Sequence, residues 1–155
     1  MASPANRSVA LLAIQPQYAK AILNGSKRVE FRKTRFKRQV SHVVMYCTSP
    51  VMRVLGVFEI GRIESGAPSD LWHRYQSVGG IGADDFAAYY SRSKVGIALE
   101  VARVWILAEP LELTELADGL SPPQSYCYLG DECVTRLWQR VPADHGAPRA
   151  ASQQL

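Results

Sequence analysis

Apolar and polar positions change period several times along this chain, and each change marks an element. Val9-Ala-Leu-Leu-Ala-Ile14 is a short apolar run rich in branched residues and predicts a buried strand. Pro16 follows, suited to a first helical position because its missing N–H costs nothing there. Tyr18 with Ile22 and Ala19 with Leu23 then recur at four-residue spacing, so a helix is predicted over 16–24. Asn24-Gly25 ends it, with Gly25 free to take the left-handed cap.

Between 28 and 33 the period drops to two: Val29 and Phe31 take one face, Arg28, Glu30 and Arg32 the other. The stretch Thr34 to Gln39 shows no apolar face and reads as a mobile loop. Strands are predicted over 42–48, closed by Ser49-Pro50, and over 52–63, where Gly56 and Gly61 mark bends or bulges. Two short helices follow, over 68–77 (Leu71, Trp72, Tyr75) and 83–90 (Phe86, Tyr89, Tyr90). The longest strand spans 94–107, with Val95, Ile97, Leu99 and Val101 on one face. A Leu111 to Leu116 segment, a Pro122-Pro123 corner and a helix over 130–139 complete the pattern. Residues 1–8 and 141–155 read as disordered ends around one domain over 9–140. Consecutive strands without crossover helices argue against a parallel α/β sheet. The expected class is α+β: a small, mostly antiparallel β-barrel with short helices at its ends.

Composition leaves that picture intact. The 155 residues are 47% hydrophobic and 21% charged, an ordinary globular balance with room for one core. No apolar run approaches the roughly 20 residues that cross a bilayer, so no membrane partner is expected. Met1 to Ser8 lacks the pattern of a signal peptide. Cys47, Cys127 and Cys133 are odd in number and suit reduced thiols in a cytoplasmic protein. His42, His73 and His145 are scattered, so neither a metal set nor a cofactor is expected.

Charge does change the picture. The net charge is only +4, but seven of the 18 basic residues crowd into positions 27–38. They are Lys27, Arg28, Arg32, Lys33, Arg35, Lys37 and Arg38, opposed by Glu30 alone. Such crowding is self-repulsive and favours a polyanion or carboxylates folded against it. Gly79-Gly-Ile-Gly82 lacks the spacing and lysine of a phosphate-binding loop. Asp84 and Asp85 behind it would repel a phosphate, so this segment reads as a plain turn. Glu59 and Glu100, set in apolar strands, imply partners within the fold.

The run Leu12 to Arg32 resembles the opening of ASCH-domain proteins, within the PUA-like superfamily. Gly25, Lys27, Glu30 and Arg32 match the family's Gly-x-Lys-x-x-Glu/Thr-x-Arg signature. Tyr46-Cys-Thr-Ser-Pro50 leading to Gly56-Val-Phe-Glu59, the Leu71-Trp72 insertion, and Pro122 to Leu129 extend the resemblance over roughly 9–130. It implies a cleft between the first helix and the barrel, edged by the Lys27–Arg32 strand. There Lys27 supplies a point charge and Arg32 a planar fork for a phosphate or base edge, oriented by Glu30. Tyr18, Tyr46 and Tyr126 are candidate stacking surfaces, and Ser49, Gln124 and Ser125 candidate polar contacts.

The expected function is nucleic-acid binding, to RNA or single-stranded DNA, with a possible role in regulating transcription or translation. A hydrolase acting on RNA or a modified nucleoside is the alternative, with Lys27, Glu30 and Arg32 as catalytic candidates. Some family members are amidohydrolases acting on acetylated cytidine, with a lysine, a threonine and a glutamate as proposed machinery. Lys27 matches the lysine, but Glu30 stands at the threonine position and no acid is evident in the helical insertion. A protein-interaction module is the third reading.

Overall fold

The computed structural model describes residues 7–142. In chain order the elements are β1 (Ser8–Ile14), α1 (Pro16–Leu23), β2 (Val29–Arg32), β3 (Val40–Cys47), β4 (Arg53–Gly66), α2 (Pro68–Tyr75), α3 (Ala83–Tyr89), β5 (Gly96–Leu111), β6 (Tyr126–Leu129) and α4 (Asp131–Trp138). The six strands form one sheet in the order β2-β5-β4-β3-β1-β6. All neighbours are antiparallel except β1 and β3, which run parallel because α1 and β2 lie between them in sequence. The predicted strands and helices are all present, with ends shifted by a few residues and β5 extended to Leu111. The strand β6 is new. Its four residues carry no usable period, and pairing with β1 makes it a strand.

The sheet's hydrogen-bond ladder is open, with the four-residue strands β2 and β6 at its edges. Side chains join those edges. Arg32, the last residue of β2, donates from Nη2 to the Ser125 carbonyl (3.1 Å), just before β6, and from Nη1 to the Ala13 carbonyl (3.4 Å) on β1. Phe36 packs edge-on against Tyr126 at 4.9 Å. The sheet therefore curls until its ends meet, which is the barrel-like form expected. Register shifts in β4 beside Gly56 and around Gly61 provide the bends. At Gly56 a Cβ would stand 2.6 Å from the Trp105 carbonyl oxygen, so glycine lets the two strands approach.

Three apolar clusters fill the fold. One sheet face packs Leu11, Val44, Val57, Trp105 and Leu107 against Leu137 of α4. The other buries Leu12, Val43, Phe58 and Leu99 with Ala19 and Ile22 of α1. The third joins Val29 and Phe31 of β2 to Leu71, Tyr75, Phe86 and Tyr90 of the two inserted helices. Val95, expected beside Ile97 in β5, precedes the strand and is exposed. Ser8 opens β1 and Val141 packs into the first cluster, so both belong to the domain rather than to loose ends. The rest of the predicted termini, 1–6 and 143–155, lie outside the described residues.

The segment 33–39 is not a mobile loop. Tyr128 Oη accepts the backbone N–H of both Lys37 and Arg38, each at 3.0 Å, while Arg35 Nη2 donates to Ser65 Oγ at 2.7 Å. Such anchors come from residues far away in sequence, which local alternation does not reveal.

Candidate functional site

The cleft is assembled where α1, β2 and α3 converge at one mouth of the curled sheet. Its volume is about 460 Å³, and its wall includes Gln15, Gln17, Tyr18, Lys27, Glu30, Arg32, Asp85 and Tyr89. Two-residue periodicity puts Glu30 and Arg32 on the face of β2 away from Phe31, which buries itself under Phe86. Pairing with Leu99 and Ile97 of β5 fixes their height.

Lys27, Glu30 and Arg32 form one relay. Glu30, 6% exposed, receives Lys27 Nζ at 3.8 Å on one oxygen and Arg32 Nη1 at 3.3 Å on the other. Lys27 is 2% exposed and donates to the Gly79 carbonyl, with its ammonium 5.1 Å from the ring centres of both Tyr18 and Phe31. Burial pushes the Lys27 ammonium below its ordinary pKa, while Glu30 pulls the other way. Removing one partner of such a buried set costs about 3–5 kcal/mol, because the other charge is left uncompensated. Burial also raises the Tyr89 phenol, against the opposing pull of Arg32.

The glycine turn is part of this site. Gly79 supplies the carbonyl that receives Lys27. Gly80, at φ +62°, lies so close that a Cβ would stand 2.6 Å from Lys27 Cβ. A plain-turn reading misses this because only the tertiary fold brings 79–80 against residue 27. Asp85, read from sequence as a helix-dipole residue, also lines the cleft. The insertion therefore does contribute an acid to the wall. An acid one turn behind a glycine turn was the available signal.

Other sequence candidates scatter. Tyr46 is 4% exposed inside the first core cluster and has no face to offer a base. Its alternation with Val44 puts it on that inner face. Tyr126 is half-buried between Phe36 and Tyr128, and Ser125 contributes its carbonyl to Arg32. Arg28, Ser49 and Gln124 are exposed and outside the cleft wall. Lys33 lies over the Tyr89 ring at 4.6 Å, while Arg35 and Arg38 open onto a different groove. Lys37 is exposed beside them. Glu100 accepts the Tyr75 hydroxyl at 2.7 Å, and Glu59 pairs across strands with His42 and Arg103. Among the described residues no group of three His, Cys, Asp or Glu stands ready to hold a metal ion, and no helix is long and apolar enough to cross a membrane.

A curled mixed sheet with a helical insertion and a buried Lys–Glu–Arg relay at its mouth defines a small α+β domain with a charged cleft. The chain belongs to the ASCH domain family, whose model matches residues 12–117. An ASCH domain-containing ribonuclease of Zymomonas mobilis is 29% identical over 136 residues, covering 85% of this chain and 91% of that protein. The crystal structure of ASCH from Zymomonas mobilis superposes with a TM-score of 0.81 at 27% identity, over 88% of this chain and 97% of that one. The N-terminal domain of Staphylothermus marinus McrB shares the fold alone, with a TM-score of 0.58 at 11% identity over 90% and 98% of the two chains.

Proposed function

We propose that this protein binds single-stranded RNA, with one nucleotide entering the cleft and its phosphate or base edge meeting Arg32. The observation that carries this reading is the relay itself. A buried lysine and a half-buried arginine share one carboxylate at the mouth of a pocket of nucleotide size, which holds the Arg32 fork in place for a phosphate or base edge. Tyr18 and Tyr89 flank it and offer ring surface to a base. The similarity to a protein named a ribonuclease supports RNA over DNA. Three free thiols suit a reducing compartment, so we place the activity in the cytoplasm. The role we assign to such a binder is regulation of transcription or translation.

The test is dinucleotide and short-RNA affinity. Arg32→Ala should weaken binding by about 1.5–3 kcal/mol, with Arg32→Lys intermediate and circular dichroism unchanged. Unchanged affinity in Arg32→Ala would refute the reading.

Cleavage is the second reading, favoured by Asp85. Together with Lys27 and Arg32 it places a proton acceptor, a cation and a planar fork around one cleft. Attack of a ribose 2′-hydroxyl on the adjacent 3′-phosphorus forms a cyclic phosphate as the bond to the next 5′-oxygen breaks. Asp85 would take the hydroxyl proton, the two cations would stabilise the charge on the phosphoryl oxygens, and the leaving oxygen would take its proton from water. Cyclic-phosphate ends that form with the purified protein and vanish in Asp85→Asn would establish it. Intact RNA after long incubation would remove it.

A further inference from the structure

A second groove, of about 380 Å³, opens between the 33–39 segment and the bulged part of β4. Arg7, Arg35 and Arg38 line it over an apolar floor that includes Phe36, Ile60 and Ile63, and no acidic side chain takes part. None of the ion pairs among the described residues uses these three arginines. Two are nonetheless held in place. The Arg38 guanidinium lies 4.3 Å over the Tyr128 ring, and Arg35 is tied to Ser65. The floor is exposed because β4 gains one residue between Ile60 and Ile63 against β5, which leaves Ile63 44% exposed. Three guanidiniums gathered without a carboxylate around an apolar trough call for a ligand that is both anionic and able to lay flat surface on hydrocarbon.

The same chain segment joins this groove to the cleft. Arg32 ends in the cleft and Arg35 begins the groove, and three residues of backbone reach at most about 10 Å. We infer that the groove is the continuation of the RNA path: the strand leaving the cleft passes over the 33–38 segment and lays its next phosphates on Arg35, Arg38 and Arg7. This rests on the RNA reading of the cleft. In this geometry the basic run serves two subsites. Arg32, held by Glu30, meets one nucleotide, and the groove sets the length and direction of the strand beyond it.

The experiment compares a labelled dinucleotide and a labelled 12-nucleotide RNA across 50–200 mM salt, using the full chain and the variant Arg7→Gln/Arg35→Gln/Arg38→Gln. Each single-strand phosphate contact contributes about −0.7 to the log–log salt slope, so three give about −2, or roughly 18-fold in affinity over that range. The 12-mer should lose that component in the variant, while dinucleotide affinity stays as in the native chain. An unchanged 12-mer slope overturns the inference, while a dinucleotide that still needs Arg32 leaves the cleft reading standing. A dinucleotide indifferent to Arg32 defeats the cleft reading instead. Equal competition for the groove by polyglutamate of matched charge would assign it to acidic protein segments and overturn the RNA path. Circular dichroism of the variant confirms that it folds.

Discussion

Gly80→Ala puts one methyl group where the structure has no room for it, and the consequence reaches the site. The added Cβ would lie 2.6 Å from Lys27 Cβ and 2.8 Å from its Cγ, both near the root of the side chain. Lys27 has little freedom to retreat, since its backbone N–H donates to the Ala21 carbonyl at 3.0 Å. The left-handed backbone at φ +62° adds about 1–2 kcal/mol for any residue with a Cβ. Overpacking adds about 1–3 kcal/mol. The sum is a loss of about 2–5 kcal/mol, or roughly 5–15 °C in the thermal midpoint of a domain this size. Part of that strain can be relieved by turning Lys27 away from Gly79 and Glu30, so dinucleotide affinity should fall as well. Gly66→Ala is the control, because its Cβ would meet nothing within 4 Å and its φ is not positive. Urea unfolding and dinucleotide titration of both variants decide the matter. A Gly80→Ala protein with native midpoint and native affinity would show that the turn does not hold Lys27 in place.

Other outcomes follow from the same structure. His42 lies between Trp105 and Trp138, and burial holds its pKa below the ordinary value, with Glu59 opposing and Arg7 assisting. The unfolded chain therefore takes up this proton first as pH falls through 6.5, so stability should drop below that pH. Urea midpoints read by tryptophan fluorescence should show this acid slope, and His42→Gln should flatten it. Burial, and then the hydrogen bond to Glu100, push the Tyr75 phenol up to about 12. The stability this group contributes is present below pH 10 and should be lost between pH 10 and 12. Tyr75→Phe should remove that alkaline step from urea midpoints. Tyr128→Phe leaves two backbone donors without their acceptor and should cost about 1 kcal/mol, with faster hydrogen exchange at the Lys37 and Arg38 amides. Leu11→Ala, in the fully buried centre of β1, should cost about 2–5 kcal/mol by urea unfolding.

Periodicity made the long elements legible because their burial is one-sided and local. Alternation at 28–32 located β2 and put Glu30 and Arg32 on one face, and the spacing of Tyr18, Ala19, Ile22 and Leu23 located α1. The family signature located the relay. What escaped depended on contacts between distant segments. Tyr46 looks like any strand tyrosine until α4 and the 111–116 segment cover its face. Gly80 and Asp85 acquire meaning only when the insertion docks against residue 27. The basic run is continuous in sequence, yet the curl of the sheet divides it between two grooves. Tyr128, which pins the loop, sits some 90 residues away from it.

Arg32 does not wait in the cleft as a vacant cation. A guanidinium carries five N–H donors, and here they already serve the Glu30 carboxylate and the main-chain carbonyls of Ala13 and Ser125. An arriving phosphate must use the remaining donors or take one from Ser125, whose carbonyl stitches the approach to β6 onto β2. If the phosphate takes the donor that serves Ser125, occupancy and the tightness of that seam become one equilibrium, and linkage makes the effect mutual: whatever slackens the seam would strengthen the grip, and whatever fills the cleft would loosen the seam. The residue proposed to meet the ligand is also the clasp of the fold.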